Sequence, residues 1–231
     1  MKNQYFGDIN DYLKYGMLRV LTKETGLRLG VCWMLTADDN RPDGCKTQYL
    51  DQSAAWRSYD LPLFNLLQTA ILSGDRKIEV VETGRILPDA IYHSDLLNDN
   101  RDARDKYFEA VESSMSSADL IFFDPDNGME VRSKPKGSRG SEKYLYWDEV
   151  KRFAAAGKSL IVFQHFARVN RDAFTSTLRE RFAAECGVPW VGVLVTSNVA
   201  YFVIAAPEHE RTLRDACHDA CQSWHPHMKL V

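Results

Sequence analysis

No run of apolar residues in the 231-residue chain reaches the roughly 20 that a membrane-spanning helix needs. The amino-terminal stretch MKNQYFGDIND also lacks the apolar core of a secretory signal, so a cytoplasmic protein with no membrane partner is expected. Cysteine is scarce: the five, Cys32, Cys45, Cys186, Cys217 and Cys221, are odd in number and scattered, which predicts reduced thiols rather than a disulfide framework. A surplus of one charge is missing too. The net charge of −3 and isoelectric point near 6.1 give no global pull toward nucleic acid. No repeat, linker or low-complexity segment interrupts the chain, so a single domain over 1–231 is expected.

What is present is a short apolar run with acids at its end. In ADLIFFDPDNGME, residues 118–130, Leu120 to Phe123 are too few for a helix and predict a buried central strand that delivers Asp124 at its carboxyl end. Open α/β sheets place chemistry at that edge. Pro125 fixes φ, and Asp126, Asn127 and Gly128 tolerate a tight turn, so carboxylate and amide groups are held in place. A plain strand followed by a turn is the competing reading of the same residues.

Asp8 or Asn10 caps a first helix with Leu13, Met17, Val20 and Leu21 inward, ending at Gly26, with Lys14 and Arg19 off that stripe. Strands are expected over 29–35, 78–82, 90–95, 120–123 and 159–166. Helices are expected over 60–72, 101–115, 147–156 and 170–186, the second with Ala103, Tyr107, Ala110 and Val111 inward. Two last strands, 190–195 and 200–205, are joined by Thr196 to Val199, a link that permits only an antiparallel hairpin. Pro207 opens a final helix. The order predicts an α/β, Rossmann-like three-layer sandwich whose mostly parallel sheet ends in an antiparallel hairpin.

Two stretches carry a resemblance: Tyr5-Phe6-Gly7-Asp8-Ile9-Asn10-Asp11-Tyr12-Leu13-Lys14-Tyr15 and Asp124-Pro125-Asp126-Asn127. With the strand order, they resemble the class I S-adenosylmethionine-dependent methyltransferases over most of the chain. The likeness is nearest to the large-subunit ribosomal RNA adenine-N6 methyltransferases, which read H-A-G-N-x-x-D-x-x-K-H at the amino terminus and D-P-P-Y after the fourth strand. Gly7, Asp11, Leu13, Lys14, Asp124 and Pro125 match. The resemblance implies that Asp124 accepts a hydrogen bond from a target amine and that Lys14 contacts substrate or cofactor. It implies further that Glu82 meets the ribose of bound S-adenosylmethionine and Asp95 its adenine, with Asp38 at the same cofactor edge. Here TADDNRPDG stands where that family has a glycine-rich turn, and Asn127 where it has a stacking aromatic.

Those departures keep two rivals open. Asp124 and Asp126, with Asp38 or Asp39 nearby, read as a Mg²⁺ or Mn²⁺ site of a metal-dependent phosphoester hydrolase or nuclease. Asp38, Asp39 and Asp43 form either a cation loop or a polar turn, and Asp124 with Glu149-Val-Lys151 gives the D…E-x-K pattern of metal nucleases. The third reading is a non-catalytic binding domain. His165, at the end of the strand after that of Asp124, is a candidate acid or base. The loop RSKPKGSRGSEK, residues 132–143, carries five basic residues against one acid and suits a phosphate backbone, so Lys143, Tyr144 and Arg168 are candidate nucleic-acid contacts. Cys217, Cys221 and His225 recur at helical spacing, as zinc ligands or, preferred here, as core.

Overall fold

The computed structural model describes residues 1–39 and 44–231, so Asp43 of the acidic loop lies outside the described residues. Helix α1, Ile9–Thr25, begins where the Asp8 side chain accepts the amides of Asn10 and Asp11, and stops at Gly26 with φ 67°. Strand β1, Leu29–Cys32, follows, then the single turn α2, Ser53–Trp56, and α3, Leu61–Ser73, capped by Asp60 with Pro62 in its first turn. Residues 78–82 are not a strand. They belong to the short helix α4, Glu79–Thr83, because Ile78 and Val81 turn inward together, three residues apart, while Glu79 stays in water.

Strand β2, Ile91–His93, helix α5, Arg101–Ser114, and strand β3, Leu120–Phe123, come next. The two-residue strands β4, Gly128–Met129, and β5, Tyr144–Leu145, pair with each other. The chain then runs through α6, Trp147–Ala155, β6, Ser159–His165, α7, Arg171–Cys186, β7, Val191–Val195, β8, Val199–Ile204, α8, Glu210–Ser223, and β9, Lys229–Leu230.

One seven-stranded sheet has the order β2-β1-β3-β6-β8-β7-β9. Its first four strands are parallel, and β8 runs antiparallel to β6 on one side and β7 on the other. Burial on both faces follows from the alternation of side chains. Leu120 and Phe122 of β3 join a core with α1, α3 and α8, whereas Ile121 and Phe123 join another with α5, α6 and α7. In α5 the inward set differs from the expected one: Arg104 and Phe108 are buried beside Tyr107 and Val111, and Ala110 is exposed. Among the described residues no disulfide joins any of the cysteines, and Cys217 packs in the core between α8 and α1. Among the described residues no helix is long and apolar enough to cross a membrane.

Candidate functional site

The site begins with how the chain leaves β3. After Asp124 and Pro125 the backbone folds into β4, held by Gln164 of β6 acting as a substitute for backbone. Gln164 Oε1 accepts the Met129 amide at 2.8 Å, and Nε2 donates to the carbonyls of Asn127 at 3.2 Å and His165 at 2.8 Å. Gly128 makes that approach possible, since its φ is 110° and a Cβ there would lie 2.3 Å from Gln164 Oε1. Gly128→Ala is therefore expected to cost about 1–3 kcal/mol. Thermal melting should register a drop of several degrees, and an unchanged midpoint would show that Gln164 is not locked.

Lys14 reaches this turn from α1. Asp8, Asp11 and Lys14 are spaced three apart and share one face of the helix. The sequence reading sets Lys14 off the apolar stripe, yet it is 2% exposed. Two carboxylates and three rings take the place of water: its ammonium lies 2.8 Å from Asp11 Oδ1 and 2.7 Å from Asp124 Oδ2, over the faces of Tyr15, Trp33 and Phe163. Burial alone would lower its pKa, but Asp11 and Asp124 outweigh that and raise it above the ordinary lysine value. Asp11 Oδ2 accepts the Gly7 amide at 3.0 Å, and burial raises the Asp11 carboxyl in spite of Lys14. Asp124 keeps Oδ1 without a hydrogen bond from any described residue.

Asp126 is held separately. Its Oδ2 accepts the Thr36 hydroxyl at 2.7 Å, and Oδ1 lies 2.8 Å from the Met1 amine, which donates to the carbonyls of Asp124 and Met34. Burial works against the ionised form, but the amine and Thr36 outweigh it and hold Asp126 below the usual carboxylate range.

These groups line a cavity of about 600 Å³ at the carboxyl edge of β3 and β6. Asp8, Asp11 and Lys14 form one wall, Asp124 to Asn127 another, and Phe163 with His165 a third; Tyr5 and the exposed Lys46 complete it. The His165 ring stands edge-on to Phe163 with centroids 4.9 Å apart. Loss of water around the ring lowers its pKa below the ordinary histidine value, despite the pull of Asp124 and Asp126, so it is neutral at pH 7.

Lys14, Asp124, Asp126, Asn127 and His165, all singled out in the sequence, thus meet in one place. The three acids assigned to a cofactor do not line the cavity. Glu82 sits in α4, where Oε1 accepts the Trp33 indole at 2.7 Å and the Ser94 hydroxyl at 2.5 Å. Asp38 accepts the Gln4 amide at 3.2 Å, and Asp95 is 81% exposed beside His93. Sequence reasoning left out Asp8, Phe163 and Gln164. Asp8 was legible only as a helix cap, although its three-residue spacing with Asp11 and Lys14 was a signal that the cap also faces the site.

The basic loop is fastened from below. Arg104, fully buried, donates through Nε to Glu149 Oε1 at 2.6 Å and through Nη2 to Glu149 Oε2 at 2.9 Å. It also reaches the carbonyls of Ser141 at 3.2 Å and Tyr144 at 2.6 Å. Glu149 is thereby committed to Arg104 and lies in a helix, which removes the D…E-x-K pattern as a metal triad. Lys136 pairs with Asp148 and Glu149, whereas Arg132, Arg139 and Lys143 have no ion-pair partner among the described residues. Lys143 links loop to cavity, because its carbonyl accepts the Asn127 amide at 2.9 Å. Tyr144 is half-buried, and Arg168 is exposed just beyond β6. Among the described residues no group of three or more His, Cys, Asp or Glu side chains is placed to hold a metal ion.

No protein-family model and no curated protein matches the sequence. The functional reading therefore rests on the cavity.

Proposed function

We propose that this chain is an S-adenosylmethionine-dependent methyltransferase-like protein acting on an amine of a nucleic acid. The observation that carries the proposal is the meeting of Lys14 and Asp124. Two motifs that the resemblance ties to one site, 110 residues apart in the chain, form a buried 2.7 Å ion pair at the end of β3. The sheet order, with β8 antiparallel between β6 and β7, supports a Rossmann-like methyltransferase topology, although topology alone assigns no reaction.

The donor set suits the cofactor. S-adenosylmethionine carries a sulfonium and an ammonium, and the described lining sets the four carboxylates of Asp8, Asp11, Asp124 and Asp126 against the three cations of the Met1 amine, Lys14 and Lys46. Phe163 and Tyr5 give it apolar surface, and Lys46 is a cation for the cofactor's own carboxylate. When bound, the cofactor supplies an electrophilic methyl group. Asp124, with Oδ2 fixed by Lys14, offers Oδ1 to an amine N–H and so orients the nitrogen lone pair. Asn127 adds an amide, and Arg132, Arg139 and Lys143 give the phosphate backbone its charge partners.

Calorimetric titration with S-adenosylmethionine, and separately with Mn²⁺, tests this. The expected result is cofactor binding that weakens at least about tenfold in Asp124→Asn, the loss of one buried charged contact. Mn²⁺ binding abolished by Asp126→Asn, with no cofactor binding, would replace the proposal with metal-dependent phosphoester chemistry.

A further inference from the structure

Asp8 is the cavity acid with no ion-pair partner among the described residues. Asp11 and Asp124 share Lys14, and Asp126 has the Met1 amine. Among the described residues Asp8 accepts only neutral N–H groups: Oδ1 takes the amides of Asn10 at 2.8 Å and Asp11 at 3.0 Å, and Oδ2 takes the Asn10 side chain at 3.2 Å. It is 7% exposed and lines the cavity.

We propose, resting on the methyltransferase reading, that Asp8 is the residue by which this cavity distinguishes a cationic sulfonium cofactor from its neutral thioether product, and that protonation of Asp8 switches the distinction off. Methyl transfer to an amine forms an N–C bond, leaves the S–C electron pair on sulfur and releases one amine proton. One positive charge thus disappears from the nucleoside at that step. A cavity whose unpaired carboxylate favours the cation binds the reactant and lets the product go.

The electrostatics fit that role. Burial, helped by the charge of Asp11, pushes the Asp8 carboxyl up to about 7, and a cation in the cavity supplies the partner that its ionised form lacks. Asp8 is faced by Asp11, Lys14 and Tyr15 from its own helix, the Met1 amine and Tyr5 from the segment before it, Tyr49 from the turn Gln48–Asp51, Tyr201 from β8, Asp124 and Asp126 from the end of β3, Lys46, and His165 from β6. Burial raises Tyr49 and Tyr201 above the ordinary tyrosine value, and the net shift of Lys14 is upward, so none of the three changes charge between pH 6 and 8. His165 gains a proton at lower pH, with the same sign of effect, and is the necessary control.

The test is calorimetry of S-adenosylmethionine and S-adenosylhomocysteine at pH 6 and pH 8 with the natural chain, Asp8→Asn and His165→Gln. Asparagine also caps helices, so Asp8→Asn keeps the start of α1 while removing the charge. A carboxyl titrating near 7 goes from mostly protonated to mostly ionised across that span, so the affinity ratio of sulfonium to thioether should rise about tenfold in the natural chain. The rise should vanish in Asp8→Asn and survive in His165→Gln. A ratio that does not change with pH, or a rise that persists in Asp8→Asn, overturns this inference and leaves the cofactor reading standing. Failure of both nucleosides to bind at either pH overturns both. A ligand-free check uses melting: ionising a buried carboxylate costs the natural fold stability as pH rises from 5 to 8, so Asp8→Asn should gain on it over that range. Parallel profiles would also overturn the inference.

Discussion

Lys14→Met lowers the unfolding free energy by about 3–5 kcal/mol at pH 7, the cost of leaving buried carboxylates without their cation. The substitution keeps the length of the side chain and removes the ammonium that lies within 2.8 Å of both Asp11 and Asp124. Urea denaturation is the measurement, and pH supplies the internal control. Asp11 is already raised by burial, and without Lys14 its folded-state value climbs further above the unfolded one. A carboxyl of that kind takes up a proton in the folded state, so stability falls as pH rises through and beyond the unfolded value. The deficit of Lys14→Met is accordingly smaller at pH 5 than at pH 8. Equal deficits at both would mean that the loss comes from packing rather than from stranded charge.

Arg104→Met has an effect of similar size, about 3–5 kcal/mol, through another buried ion pair. It takes the two-point partner from Glu149, which keeps Lys136 at 3.1 Å, removes the donors to the Ser141 and Tyr144 carbonyls, and leaves Phe108 and Tyr146 without the guanidinium between them. Its second readout is local. Residues 132–143 lose their fastening, so trypsin should cut there about tenfold faster or more, in keeping with a lowered cost of local opening. Arg104→Lys restores the charge but not the fork that reaches two carboxylate oxygens and two carbonyls, and should recover only part of the loss. Loop cleavage at the natural rate in Arg104→Met would show that Lys136, with the hydrogen bonds from Lys134 Nζ to the Arg139 carbonyl and from the Tyr146 hydroxyl to the Lys134 carbonyl, holds the segment without Arg104.

The parts of this fold that were readable in advance are those fixed by local chemistry. Asp8, Asp60, Asn100 and Asn170 each accept an amide at the start of a helix, and Gly26 and Gly187 end helices in the left-handed region. The β7–β8 hairpin followed from a link too short for anything else. What escaped was set at long range. Ile78 to Glu82 holds too few residues to display a period, and its helix is decided by what Val81 packs against. A charged residue on a helix reads as solvated, so periodicity left Lys14 off the apolar stripe and Arg104 out of the inward set, because their partners lie 110 and 45 residues away. The two-residue strands β4 and β5 leave no pattern at all. The place of Asp124 at a strand end was legible because it follows an apolar run; that Glu82, Asp38 and Asp95 lie away from the cavity was not, because the resemblance placed them by their order in the chain.

Helix α1 carries one wall of the cavity, and it packs against α8 and Trp224, far later in the sequence. Gly16 lies against the ring of Trp224, where a Cβ would stand 1.8 Å from the indole, and β6 gains its second neighbour only from β8. Synthesis delivers Asp8, Asp11 and Lys14 long before residues 199–224 exist. Until Trp224 is in place these side chains belong to a helix without the indole that docks on Gly16. Assembly order thereby separates possession of the motif from possession of the site: a nascent chain holds the first before residues 199–224 are made and the second only after.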